Sequence, residues 1–143
     1  VANGVTWGQA IENAVKKYPK IKKHWMYAIL DRETGGKFNA NAVGRDGECG
    51  GFQIMPANWG NGRYGKYYPQ YRKGLEKEEN SCFNPQVNAN NAARILNENL
   101  ALKGDVWGMA RAYNGGPKSI SRAAKEYAND ILKKIRKHES CYV

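Results

Sequence analysis

The strongest constraint on this chain lies between Ile21 and Glu33, where apolar residues recur at helical spacing right up to a carboxylate and two glycines follow almost at once. Trp25, Ala28, Ile29 and Arg32 mark one stripe; Met26, Leu30 and Glu33 mark an adjoining one. The pattern predicts a helix over about 21–33 with Glu33 on its apolar face near the C terminus. From Gly35 to Gly51 the chain carries Gly, Asn and Asp at short intervals, and Asp46-Gly47 predicts a hairpin turn between two short extended segments.

The remaining segments read as further helices. Thr6 and Gln9 fit a capping box, and Ala10, Ile11, Ala14, Val15 and Tyr18 share one face before Pro19 stops the pattern. Asn84 before Pro85 predicts an N-cap, followed by Ala89, Ala92, Ala93, Leu96 and Leu100 until Gly104 ends that helix. Asp105 can cap the next, with Val106, Met109, Ala110 and Tyr113 on one face and "NGGP" as its breaker. A last helix is expected over about 123–137, with Tyr127, Ile131 and Ile135 at helical spacing. The stretch "NWGNGRYGKYYPQYRKG" is expected to be an irregular loop lining a groove.

At 143 residues, with no repeat and no linker, the chain is expected to be one domain, 1–143. No apolar run is long enough to span a bilayer. Val1 is not an initiator methionine, which leaves room for a leader, a tag or a larger parent protein. A net charge of +10 points to an acidic partner, such as nucleic acid, an anionic membrane or an anionic wall polymer. Charge alone does not choose among them, and the lysine runs "VKKYPKIKKHW" and "LKKIRKH" read as solvated helix faces. Cys49, Cys82 and Cys141 allow at most one internal disulfide, and neither they nor His24 and His138 have metal-ligand spacing, so no metal and no cofactor are expected.

Glu33 carries the chemical interest. A carboxyl among aliphatic and aromatic side chains loses hydration, which disfavours its charged form and raises its pKa. It can then stay protonated near neutral pH, as a general acid at a glycosidic oxygen must. The flanking words fit that reading. "ETGGKFNANAVGRDGECGGFQIMP" resembles the first two motifs of the soluble lytic transglycosylase catalytic domain, "RAYNGGP" the third and "KEYANDIL" the fourth. Between them "FNPQVNANNAARIL" resembles a further helix of that family, and all occur in the family's order from Leu30 to Leu132.

The resemblance implies an α+β, mainly helical, lysozyme-like fold with a small β-hairpin or sheet next to the active-site cleft. It also implies cleavage of the β-1,4 bond between N-acetylmuramic acid and N-acetylglucosamine in peptidoglycan, without water, leaving 1,6-anhydromuramic acid ends. Glu33 matches the family's single catalytic acid and base. Thr34 stands where the family has serine, with a hydroxyl for the carboxyl or the sugar. Gln53, Tyr113, Asn114 and Tyr127 match its substrate-binding positions.

The glycines after Thr34 lengthen the loop relative to the family pattern, and Asp46 and Glu48 add acids near the site. Either acid could serve as the base of a muramidase, which needs a second carboxylate about 6.5–9.5 Å from the acid, as goose-type lysozymes are thought to have. A wall-binding scaffold without turnover is the reading from another class. Related domains of secretion and conjugation systems imply a Cys49–Cys82 disulfide; Cys141 could instead pair with either. The resemblance also implies a periplasmic, extracellular or virion-associated setting, a larger phage-tail or secretion assembly as a possible partner, and no nucleic acid.

Overall fold

The computed structural model describes residues 5–55 and 81–142. Among them are five helices: α1 (Trp7–Lys17), α2 (Lys23–Thr34), α3 (Pro85–Lys103), α4 (Val106–Gly115) and α5 (Arg122–Tyr142). The irregular loop expected between Asn58 and Gly74 lies outside the described residues.

Local chemistry sets most helix ends. The Thr6 hydroxyl accepts from Gln9 N at 3.1 Å, but the Gln9 side chain donates to Asn13 Oδ1 at 3.0 Å, so only one half of a capping box forms. Asn84 Oδ1 caps α3 by accepting from Gln86 N at 2.9 Å, with Pro85 in the first turn, and Asp105 caps α4 by accepting from Gly108 N at 2.6 Å. Gly35 (φ 62°) ends α2 in the left-handed conformation that costs glycine least. α2 starts at Lys23, two residues later than its apolar pattern; Ile21 is buried all the same, as part of the turn that leads in. α5 runs past the expected Lys137, because His138 is buried against Asp31 and tertiary contact carries the helix beyond its apolar repeat.

α5 packs against both α2 and α4, while α3 packs against α1 and α4. The core between them holds Ile11, Met26, Ile29, Leu30, Leu96 and Ile131, all sealed from solvent, with Phe52 and Phe83 brought in by the connecting segments.

The expected small sheet is present among the described residues only as two isolated antiparallel bridges, Val43 to Cys49 and Cys49 to Ile54. Gly47 N bonds to Gly44 O at 3.1 Å, so the Asp46-Gly47 turn does form. The ladders stop after one pair because Gly50 (φ 77°) and Gln53 (φ 51°) leave the extended region. Gly51 sits so close to α1 and α2 that a Cβ there would lie 2.5 Å from the Trp7 ring and 2.6 Å from Leu30.

Side chains from α3 hold this loop in place of a sheet. Asn88, fully buried, accepts from Phe52 N at 2.8 Å and donates to Cys49 O at 2.9 Å. Cys49 and Cys82, 33 positions apart in sequence, form a disulfide with Cα atoms 6.1 Å apart. Closing a loop of this size restricts the unfolded chain, so reduction, or the Cys49→Ser/Cys82→Ser pair, is expected to lower stability by about 3.5–4 kcal/mol. Thermal unfolding with and without dithiothreitol checks this; coincident curves would mean the bridge contributes nothing.

Candidate active site

Three consecutive residues at the end of α2 are each tied to α5. Asp31, 6% exposed, accepts from Lys137 Nζ at 3.0 Å and pairs with His138 Nε2 at 2.9 Å. Burial works to raise its pKa, but the hydrogen bonds of His138 and Lys137, with the charges of Lys137 and Lys134, hold it below the ordinary value. Arg32 Nη1 donates to Asp130 Oδ2 at 2.7 Å, and its guanidinium lies 5.2 Å from the centre of the Tyr127 ring. Glu33 accepts at Oε2 from the Tyr127 hydroxyl at 3.3 Å.

Glu33 is half-buried, and loss of hydration is the largest influence on it. Burial pushes its pKa from 4.5 up to about 7, against the opposing pull of the Tyr127 hydrogen bond and the Arg32 charge, with Glu48 adding to the rise. The Tyr113 and Tyr127 hydroxyls are pushed well above their usual range, first by burial and then by the charge of Glu33. Both are therefore neutral donors. Tyr127 donates a hydrogen bond to Glu33; Tyr113 donates to Phe52 O at 2.6 Å and so pins the loop to α4.

Glu33, Asp46, Glu48, Gln53, Tyr113 and Asn114 line one cavity of about 240 Å³, together with Met55. Gln53 spends its amide nitrogen on Gly50 O at 2.8 Å and Ala42 O at 3.3 Å, which leaves Oε1 to accept from a ligand. Glu48 Oε1 accepts from Asp46 N at 2.9 Å, so the two acids of the turn are held as a unit.

Thr34 and Tyr127 are not on that wall. The Thr34 hydroxyl donates to Leu30 O at 2.7 Å and accepts from Phe38 N at 3.0 Å, which makes it part of the helix end instead of a partner for the carboxyl. Tyr127, 2% exposed, stands behind Glu33 and reaches a ligand only through it.

A second cavity of about 510 Å³ shares Asp46, Met55, Tyr113 and Asn114 with the first. It runs on along α3 past Arg94 and Asn99 to Pro117. Sequence reasoning missed this arm. Its signal was Asn99, an amide three residues after Leu96 where the apolar repeat of α3 calls for another hydrocarbon. Among the described residues no cluster of His, Cys, Asp or Glu could hold a metal, and no helix is long and apolar enough to cross a membrane.

A mainly helical domain with Glu33 on the wall of a cleft is consistent with a lysozyme-like domain. Family comparison is more specific: the transglycosylase SLT domain matches residues 9–137, and the chain belongs to that family, whose activity is of the peptidoglycan lytic transglycosylase type. Comparisons with curated proteins and with solved structures gave no match.

The raised pKa of Glu33 is also a statement about stability. Its contribution is fully present below the unfolded value near 4.5 and is lost as pH rises through about 7, because the folded state resists ionisation there. Glu33→Gln cannot ionise, so it should gain on the wild type by about 3 kcal/mol between pH 4 and pH 8.5. Melting temperatures of the two proteins at those pH values test this, and a gap independent of pH would refute a raised pKa.

Proposed function

We propose that this protein cleaves the β-1,4 bond between N-acetylmuramic acid and N-acetylglucosamine in peptidoglycan without water. The observation that carries the proposal is Glu33: a carboxyl held by Tyr127 on the wall of a groove, with a pKa of about 7. Such a group is protonated in a large share of molecules near neutral pH and can also accept a proton back.

In the first half of the reaction Glu33 gives its proton to the leaving oxygen as the C1–O bond breaks. In the second, the Glu33 carboxylate takes the proton of the muramic acid C6 hydroxyl, whose oxygen bonds to C1 and closes the 1,6-anhydro ring. The acid ends as it began, and no water is consumed. Gln53 contacts the sugar beside the broken bond through Oε1, and Asn114 helps to shape the site. Tyr127 acts through Glu33, keeping its carboxyl turned toward the groove, and Tyr113 positions the loop.

A second reading is hydrolysis of the same bond. It draws support from Asp46 and Glu48, which line the same cavity as Glu33 and could activate water in a muramidase. A scaffold that binds wall without cutting it has no use for a protonatable acid. The basic chain, at +10, suits a polymer carrying lactyl and peptide carboxylates, and peptidoglycan places the protein in the periplasm, outside the cell or on a virion. A phage-tail or secretion assembly would be a setting for such a domain.

Mass spectrometry of muropeptides released from purified peptidoglycan tests the proposal. Products about 18 Da lighter than their hydrated counterparts mark anhydro ends, and hydrated reducing ends would make the protein a muramidase instead. Glu33→Gln is expected to lose at least about 100-fold in kcat while still binding wall; a variant that clears walls at the wild-type rate would sink the assignment. Gln53→Ala should weaken turnover without erasing it. The alkaline limb of kcat/KM should fall through about pH 7, as the free enzyme loses the Glu33 proton.

A further inference from the structure

The larger arm of the cleft contains an unmet polar group. Asn99 lies on α3, is 5% exposed and helps to form the wall of the 510 Å³ cavity. Its Nδ2 is buried and meets no acceptor among the described residues. Amide nitrogens withdrawn from water are nearly always hydrogen-bonded, since the lost hydration has to be replaced. A residue kept there for packing alone would be a hydrocarbon, like Leu96 one turn before it. The amide therefore points to a partner that arrives with a ligand.

The surroundings define that partner's chemistry. Arg94 Nη1 lies 3.3 Å from Glu98 Oε1, and its Nη2 donates to Asn91 Oδ1 at 3.3 Å, so the two opposite charges of this wall offset one another along α3. Asp46, at the junction with the Glu33 cavity, disfavours a carboxylate ligand. Ile95, Ala112 and Pro117 add apolar surface. A neutral group with both a donor and an acceptor beside a small apolar part meets these demands. A primary amide complements it: Asn99 lines the cavity, and rotation about χ2 brings the buried Nδ2 to the cavity face when a ligand offers it an acceptor.

We propose that Asn99 is a specificity residue that hydrogen-bonds a secondary amide of the bound substrate, its apolar part resting against Ile95 and Pro117. The proposal rests on the reading of the cleft as a peptidoglycan groove. Two parts of that polymer carry the group: the N-acetyl substituents of the sugars and the peptide bonds of the stem.

The test is Asn99→Leu, nearly the same in shape and unable to hydrogen-bond. Replacing an unmet buried amide by a hydrocarbon leaves the fold as stable or more so, so the melting temperature should hold or rise. Affinity is measured by calorimetry with tetra-N-acetylchitotetraose and with its de-N-acetylated counterpart, in the Glu33→Gln background so that no bond is cut. Turnover is measured, with Glu33 intact, on peptidoglycan with and without its stem peptides.

At least fivefold weaker binding of the acetylated oligosaccharide, with binding of the de-N-acetylated one unchanged, supports the proposal and assigns the amide to the sugar. A loss of kcat/KM confined to stem-bearing strands supports it and assigns the amide to the peptide. Unchanged affinity and turnover on every substrate overturn it. Should the leucine variant fail to fold, Asn99→Ala gives the same readings. Wild-type protein that binds the acetylated oligosaccharide but leaves peptidoglycan intact would remove the catalytic reading of Glu33 and leave the subsite standing.

Discussion

Everything in the site depends on how the last turn of α2 is buried against α5. The Arg32–Asp130 contact is partly exposed and belongs to a class worth about 1 kcal/mol or less. Asp31 is different: its carboxylate is buried and held by His138 and Lys137 together, so the loss of both partners would leave a charge in the interior, which costs about 3–5 kcal/mol. Apolar packing of Leu30, Ile131 and Ile135 supplies the attraction between the helices, and Asp31 fixes their register. Once the register is set, Tyr127 can stand only behind Glu33, and the desolvation that raises the Glu33 pKa follows from the same packing.

The opposite wall of the cleft is made differently. The chain from Ala42 to Ile54 has too few paired residues to hold itself as a sheet, and it carries Glu48, Gln53 and the carbonyl that anchors Tyr113. Its rigidity is borrowed from the segment leading into α3, through the Cys49–Cys82 disulfide, and from α3 itself, through the two hydrogen bonds of Asn88. Gly51 lets the backbone come against Trp7 and Leu30, so the loop also rests on α1 and α2. The cleft thus lies between a wall held by burial and a wall held by cross-links.

Helices and caps were largely legible before any coordinates. Thr6, Asn84, Asp105, Gly35 and Gly104 act within a few residues of themselves, and the apolar repeats of α2 and α3 name the faces that become core. What misled was whatever depended on a distant partner. The C-terminal turns of α5 owe their place to Asp31, more than a hundred positions away, and the extended segments around Asp46-Gly47 stop at single bridges because Gly50 and Gln53 leave the extended region and Asn88 of α3 takes up the backbone there. The Thr34 hydroxyl is a local case, engaged by Leu30 O and Phe38 N four residues to either side.

The sequence by itself determined the helices, the place of a carboxylate on an apolar face and, through the motif order, the family. Those are properties of short windows, governed by periodicity, capping and residue type. Only the tertiary structure decided that Glu33 meets Tyr127, that Asp46, Glu48, Gln53 and Asn114 share one cavity with it, and that Asn99 leaves an amide unmet further along the cleft. Desolvation and hydrogen-bond satisfaction are sums over neighbours from several helices, and a linear sequence does not say which of its residues will become neighbours.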